Sequence, residues 1–181
     1  MRLILVSDVF GLTPALLDLS KKLGWCSIID PYKNQMMEFK SEPEAYSYFI
    51  ETVGLDSYFS SLLSTIHLLK EEVTLIGFSI GASAIWKLSG VTNHNIKQAF
   101  CFYGSQIRNL TQIEAKFKMN LIFPKSEPHF DILELHNTLS KKANVETTKI
   151  EYLHGFMNYY SSNYNETGYK AHIELLRSIA K

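Results

Sequence analysis

The chain has 181 residues, of which 46% are hydrophobic and 20% charged, and its 18 basic residues balance 18 acidic ones. This length and composition predict one globular domain spanning residues 1–181. The balanced charge argues against nucleic acid or an anionic membrane surface as a partner, and no apolar run approaches the ~20 residues of a membrane-spanning helix.

The compartment is predicted from the N-terminus and the cysteines. The first residues form a short strand pattern rather than a signal-peptide core. Cys26 and Cys101 lie in apolar runs with neither metal-ligand spacing nor a CxxC partner, which is typical of free thiols in a reducing compartment. We therefore expect a cytoplasmic protein.

Strand-like and helix-like segments alternate along the chain. Apolar runs predict strands over 2–7, 25–29, 73–77, 97–103, 119–123 and 147–152. Periodicity and capping residues predict helices over 14–23, 43–52, 56–70, 82–88, 131–141 and 168–180. Six buried-looking strands separated by helices predict an α/β fold, a mostly parallel sheet with helices on both faces. The polar stretch 33–54 is predicted to be a small, irregular cap over a site.

The third predicted strand runs directly into Gly77-Phe78-Ser79-Ile80-Gly81, and a helix-like stretch follows. A Gly-x-Ser-x-Gly sequence between a strand and a helix is typical of the nucleophile elbow. The two glycines leave room where a Cβ would clash with the neighbouring strand and helix. Such a turn raises the Ser79 hydroxyl above the sheet and aims the first helical N–H groups at the same point. Ser79 is therefore predicted to be the nucleophile of an acyl-transfer enzyme.

A serine nucleophile needs a base, and the base needs an acceptor that orients it. With this type of elbow the chain order is serine, acid, histidine. His154 stands directly after the sixth predicted strand, at the sheet edge where ligands bind. His136 and His172 lie in predicted helices, and His94 is a further histidine after Ser79. We therefore predict His154 as the base.

The loop after the fifth predicted strand offers two carboxylates for the acid. Asp131 opens a predicted helix in a capping pattern with Glu134, which gives it a structural explanation. Glu127 lies nearer to the strand end and has no such role. We favour Glu127, and Asp131 is the alternative acid. His129 in the same loop is interpreted as a solvated residue or as one standing over the site.

The oxyanion of an acyl transfer needs two N–H donors. One is predicted to come from Ile80, the residue after the nucleophile. The other is predicted to come from the loop after the first strand, where Gly11 permits a sharp turn that directs the N–H of Val9 or Phe10 inward.

Six fragments of the chain occur in an informative order. They are Asp8-Val9-Phe10-Gly11-Leu12, Asp30-Pro31-Tyr32, Gly77-Phe78-Ser79-Ile80-Gly81, Phe102-Tyr103-Gly104, Ser126-Glu127-Pro128 and His154-Gly155-Phe156-Met157-Asn158. Together they resemble the dienelactone hydrolase family of α/β-hydrolases, and the resemblance covers nearly the whole chain. It implies an α/β-hydrolase fold with a small or absent cap.

The resemblance also implies roles for individual residues. It supports Ser79, Glu127 and His154 as a catalytic triad, and the Val9 and Ile80 amides as the oxyanion hole. The members of these motifs that we predict to contact substrate are Asp8, Phe10, Tyr32 and Phe156.

Three differences from the family pattern stand out. Dienelactone-cleaving members use a cysteine where this chain has Ser79, and an aspartate where it has Glu127. They also hold a substrate carboxylate with arginines. The arginines of this chain are Arg2, Arg108 and Arg177, none at a matching position.

These observations predict a serine hydrolase that cleaves a small carboxylic ester or thioester through an acyl-enzyme. The alternative is a catalytically inactive member of the same fold that binds a ligand or a partner chain. We expect neither metal nor other cofactor, and a monomer or homodimer. The tyrosine-rich stretch after His154 is interpreted either as the lining of an apolar pocket or as the surface of the last helix packed on the sheet.

Overall fold

The computed structural model describes residues 2–91 and 95–180, so His94 lies outside the described residues. The strands are β1 (Arg2–Val6), β2 (Ser27–Ile29), β3 (Val73–Phe78), β4 (Ile96–Phe102), β5 (Lys118–Phe123) and β6 (Val145–Lys149). The α-helices are α1 (Pro14–Lys22), α2 (Glu42–Thr52), α3 (Gly54–His67), α4 (Ile80–Ser89), α5 (Ile132–Leu139) and α6 (Glu166–Ala180). A short 3₁₀-helix, Ser105–Asn109, follows β4.

The six strands form one sheet in the order β2-β1-β3-β4-β5-β6, and every neighbouring pair is parallel. The predicted parallel sheet is thus confirmed. All six residues of β3 are buried, as expected for a central strand covered on both faces. Because parallel strands end at the same edge, the loops after β1, β3, β4, β5 and β6 meet there.

Two hydrophobic clusters cover the two faces of this sheet. Successive residues of β1 point to opposite faces, so Ile4 belongs to one cluster and Leu5 to the other. The first cluster includes buried side chains of α2, α3, α4 and α5, and the second includes those of α1 and α6. The helices therefore lie on both faces, as the alternation of elements predicts.

Local capping residues fix several helix starts. The Thr13 hydroxyl accepts a hydrogen bond from the Leu16 N–H at 3.1 Å, and Pro14 occupies the first turn of α1. The Asp131 carboxylate accepts from the Leu133 N–H at 2.7 Å and so caps α5. Both caps agree with the sequence-based prediction.

The predicted position of the sixth strand needs correction. The sixth strand ends at Lys149 rather than at residue 152, so His154 follows it by five residues and not directly. Looser pairing continues beyond the strand, since the Ile150 N–H donates to the Phe123 carbonyl and the Lys125 N–H to the Tyr152 carbonyl. Within the stretch 33–54, α2 matches the helix predicted over 43–52 to within one residue, and it buries Ala45 in the core.

Among residues 2–91 and 95–180, no helix has the combination of length and apolar character that crossing a bilayer would require.

Candidate active site

Ser79 occupies a strained turn between β3 and α4. Its backbone has φ 50° and ψ −111°, a region that residues other than glycine rarely adopt. The turn is held because the Ser79 N–H donates to the Phe102 carbonyl of β4 at 2.9 Å. Strain of this kind costs on the order of 1–3 kcal/mol and persists at functional sites.

The glycines on either side of Ser79 permit this close packing. A Cβ on Gly81 would collide with the carbonyl oxygens of Val6 and Ser7, which belong to β1 and the loop after it. A Cβ on Gly77 would lie 2.8 Å from the Ala82 backbone nitrogen. Helix α4 therefore approaches the sheet more closely than any side chain would allow, as the elbow motif predicts.

A chain of hydrogen bonds connects Ser79 to Glu127 through His154. The Ser79 Oγ lies 3.0 Å from His154 Nε2, and His154 Nδ1 lies 2.6 Å from Glu127 Oε1. A carboxylate accepts but does not donate, so Nδ1 carries the proton and Nε2 is free to accept from the Ser79 hydroxyl. The Glu127 side chain is only 8% exposed and that of His154 19%, which limits competition from water.

Several contacts fix the His154 loop. The Asn163 side-chain amide donates to the His154 carbonyl at 2.9 Å. Gly155 has φ +83°, and a Cβ there would collide with the Ser161 side chain. The ring of Tyr103 lies with its centroid 4.9 Å from that of the His154 imidazole. The imidazole is thus positioned by its neighbours as well as by Glu127.

Of the two predicted acids, only Glu127 contacts His154. Asp131 instead caps α5 and is exposed. The loop between β5 and α5 turns back on itself through an antiparallel bridge between Glu127 and Phe130. His129 is solvent-exposed in this loop.

The loop after β1 brings the Val9 amide to the same edge of the sheet as Ile80. The Phe10 N–H donates to Asp8 Oδ1 at 3.0 Å, so it is already engaged. Within the described residues, the N–H groups of Val9 and Ile80 have no acceptor. The Tyr32 hydroxyl donates to the Val9 carbonyl at 2.7 Å and holds this loop in place.

The four residues predicted to contact substrate differ in their placement. Phe156 is fully buried among aromatic rings, including Tyr152 at 5.0 Å and His172 at 4.9 Å between centroids. Phe10 and Tyr32 are also buried. These three therefore support the loops that bear Val9 and His154, whereas Asp8 is partly exposed.

Asp8 has an unusual electrostatic environment. Burial disfavours its ionised form and raises its pKa to about 6, even though hydrogen bonds from the Phe10 N–H and the Asn158 amide act in the opposite direction. The Asn158 Nδ2 donates to Asp8 Oδ2 at 2.6 Å. Asp8, in the loop that bears Val9, thus titrates at a higher pH than an ordinary aspartate.

The chain resembles solved structures along almost its whole length. A lipase-esterase related protein from Clostridium acetobutylicum aligns with 98% of this chain and 93% of its own, at 12% identity and a TM-score of 0.63. It matches mouse alpha/beta hydrolase domain-containing protein 10 over 98% of its own length and 88% of that chain, at 7% identity and a TM-score of 0.64. The chain has the α/β-hydrolase fold.

Other comparisons agree at the level of the fold. Est1E from Butyrivibrio proteoclasticus aligns with 98% of this chain and 86% of its own, at 8% identity and a TM-score of 0.63. By sequence, the chain is 25% identical to the uncharacterized protein YczH of Bacillus subtilis, covering 98% of this chain and 91% of that protein. No family model matches the chain. The resemblance to dienelactone hydrolases therefore remains a sequence-based prediction.

A cavity of about 580 Å³ lies beside the candidate site, between α1 and the segment 157–169. Its walls include four tyrosines of the tyrosine-rich stretch after His154, namely Tyr159, Tyr160, Tyr164 and Tyr169. The structure therefore favours the pocket-lining interpretation. Across the described part of the chain, no group of three or more His, Cys, Asp or Glu side chains could hold a metal ion.

Three residues near the site were not predicted as site residues. Asn158 and Tyr103 belong to fragments that resemble family motifs, so the sequence did contain a pattern that could have identified them. Asn163, which holds the His154 carbonyl, lies outside every motif and could not have been found without the folded loop.

Proposed function

We propose that the protein is a serine hydrolase that cleaves a small carboxylic ester or thioester through an acyl-enzyme. The observation that carries the proposal is the continuous hydrogen-bonded chain from the strained Ser79 through His154 to Glu127. The fold alone would not suffice, because one fold hosts many functions. Similarity to a lipase-esterase related protein is consistent with the proposal.

The geometry suggests the following steps. The Ser79 oxygen attacks the carbonyl carbon while its proton passes to His154 Nε2. The oxyanion that forms accepts hydrogen bonds from the Val9 and Ile80 N–H groups. Collapse of the tetrahedral intermediate breaks the bond to the alcohol or thiol, which takes the proton from Nε2. Water, deprotonated by His154, then attacks the acyl-Ser79 ester and releases the acid.

Glu127 has a positioning role in this scheme. Its carboxylate accepts from Nδ1–H, holds the correct tautomer and stabilises the imidazolium formed in each half-reaction. Asp8 and Asn158 adjoin the oxyanion loop, and we propose that Asp8 contacts substrate. We propose an enzyme similar to dienelactone hydrolases but with a different substrate. The serine nucleophile and the absence of matching arginines favour a general carboxylic ester over a dienelactone as that substrate.

We further propose a cytoplasmic location. Both Cys26 and Cys101 are free thiols, and burial raises the pKa of Cys26 to about 11, so that it is protonated and unreactive at neutral pH. Light scattering during gel filtration distinguishes between the two predicted states, a monomer and a homodimer.

The test is replacement of the nucleophile. Ser79→Ala should lower kcat/KM for short p-nitrophenyl esters by roughly 10³-fold or more, with the oxyanion N–H groups left intact. Intact-mass analysis should show one fluorophosphonate adduct on the wild type and none on Ser79→Ala. Ser64→Ala, an exposed serine on α3, is the matched control and should label normally. Equal background hydrolysis by wild type and Ser79→Ala would instead support a non-catalytic, ligand-binding protein.

A further inference from the structure

The cavity beside the site has walls of an unusual kind. One wall is the tyrosine-rich segment after His154, and the opposite wall is α1, with Leu16 and Leu17 among its lining residues. Phe78 and Tyr103 belong to the same lining. Its volume of about 580 Å³ lies within the range of small-molecule sites. Walls made of aromatic and aliphatic side chains favour a flat, apolar ligand group.

Tyr103 supplies a polar anchor within these walls. The residue is 1% exposed, and its hydroxyl makes no hydrogen bond with any described residue. Burial raises the pKa of this hydroxyl, and the nearby Met157 N–H acts in the opposite direction. A buried hydroxyl without a partner costs free energy. Since this hydroxyl is covered by its neighbours, a polar ligand atom recovers that free energy only when a small shift of the lining side chains uncovers it. The cavity therefore suits an aromatic group that carries an oxygen substituent.

The charges on the lining restrict the ligand further. Asp8 lines the cavity and becomes anionic at neutral pH, which disfavours a carboxylate on the ligand at that position. Lys21 and Lys22 lie at the exposed end of the lining, where the Lys22 ammonium sits 5.1 Å from the Tyr169 ring centroid. A neutral aryl group next to Asp8 is consistent with this arrangement.

The cavity adjoins the reacting residues without including them. Ser79 and His154 are not among the described lining residues, but Tyr103 contacts the His154 ring and Asp8 precedes Val9 in the oxyanion loop. The cavity thus adjoins the triad through Tyr103 and the oxyanion loop through Asp8. We propose that this cavity binds the aryl group of an aromatic ester, the substrate class of the hydrolase proposed above, on which this inference rests.

Binding is tested apart from catalysis. Isothermal titration calorimetry with 2-naphthol should show saturable 1:1 binding to the wild type and to Ser79→Ala. Ala15→Trp places a large ring in the cavity wall and should weaken binding by about tenfold or more. Ala171→Trp, the same substitution at an exposed position of α6 away from the cavity, should change it less than about twofold.

Tyr103→Phe removes only the hydroxyl and is the second variant should Ala15→Trp fail to fold. It should weaken 2-naphthol binding by about threefold to tenfold. Absence of saturable binding, or equal binding by the wild type and the folded variants, would overturn the proposal.

Selectivity links the cavity to substrate. Ala15→Trp should lower the ratio of kcat/KM for phenyl acetate or methyl 3-phenylpropionate to that for methyl butyrate by about tenfold, whichever side of the ester carries the ring. An unchanged ratio for both aromatic esters refutes the inference even if 2-naphthol binds. If the wild type hydrolyses none of these esters, the proposed function fails, and the calorimetry still decides whether the cavity binds an aryl group.

Discussion

Glu127 and Asp131 provide a matched pair of substitutions in one loop. Glu127→Gln keeps the size of the side chain but replaces the acceptor that holds Nδ1–H of His154. An amide can also present its NH₂ group to Nδ1 and so stabilise the wrong tautomer. We predict that kcat falls by roughly 10²–10⁴-fold, as measured by ester hydrolysis at pH 8.

Asp131→Asn is the control for this change. Asparagine caps helices about as well as aspartate, so α5 and the activity should both be retained. Loss of activity in Asp131→Asn together with normal activity in Glu127→Gln would transfer the role of the acid to Asp131.

Asp8 is predicted to make stability depend on pH. Its pKa is raised from 3.8 to about 6 on folding, so between these values the folded protein binds more protons than the unfolded chain. The free energy of unfolding therefore falls as pH rises from about 4 to about 6 because of this group. Asp8→Asn has no titrating group at this position and so lacks the pH-dependent contribution. Its altered hydrogen bond with Asn158 changes the free energy of unfolding equally at every pH.

The difference in unfolding free energy between Asp8→Asn and wild type should accordingly shift in favour of the variant by about 1–3 kcal/mol between pH 4 and pH 7.5. Urea denaturation of both proteins at the two pH values measures this shift. A constant difference across this range would show that the pKa of Asp8 is normal in the folded protein.

Sequence-based prediction works best for catalytic residues that lie in a short motif, where the local turn and the reactive side chain are encoded together. The order of Ser79, Glu127 and His154 could be read because each belongs to a short recognisable fragment. The Asp8–Asn158 contact joins residues 150 positions apart, and the empty space beside Tyr103 depends on how several elements pack. The motifs contain Asp8 and Asn158 but do not indicate that the two residues meet, and the tyrosine-rich stretch left a pocket as only one of two interpretations.

At the level of elements, the contact of α4 with β1 is expected to be intolerant of a methyl group. In Gly81→Ala the new Cβ would meet the backbone carbonyls of Val6 and Ser7, which cannot rotate away as a side chain can. We predict a loss of about 3 kcal/mol in stability, or roughly 6–12 °C in Tm. Thermal unfolding followed by circular dichroism measures this loss.

Gly90→Ala is the comparison for that substitution. Its Cβ would meet chiefly the Ile113 side chain at the end of α4, so Tm should fall by less than about 4 °C. Similar Tm values for the two variants would mean that the elbow can relax and that Gly81 is not required by packing.

Element boundaries show where periodicity misleads. The central strands were predicted to within one residue because β3 and β4 are continuous apolar runs. Strand β6 was misplaced by two to three residues, since the edge position leaves it with the sequence Val-Glu-Thr-Thr-Lys and mostly exposed side chains. An edge strand buries too little to leave a strong apolar pattern.

At the scale of the whole molecule, the two hydrophobic clusters share the same strands. Leu75 of β3 belongs to one cluster and Ile76 to the other, so loss of either helical layer exposes the strand that supports both. This sharing predicts that the chain unfolds as one cooperative unit, in keeping with the single domain expected from its length.

Trp86 allows this prediction to be measured. It is fully buried in the first cluster and its indole N–H donates to the Leu110 carbonyl, whereas Trp25 is 76% exposed. In Trp25→Phe, which should change stability by less than about 0.5 kcal/mol, fluorescence reports Trp86 alone and far-ultraviolet circular dichroism reports helices on both faces. The two urea transitions should coincide in midpoint and slope. A Trp86 transition that precedes the loss of ellipticity would mean that the layer formed by α2 to α5 unfolds separately, and the chain would then consist of two units rather than one.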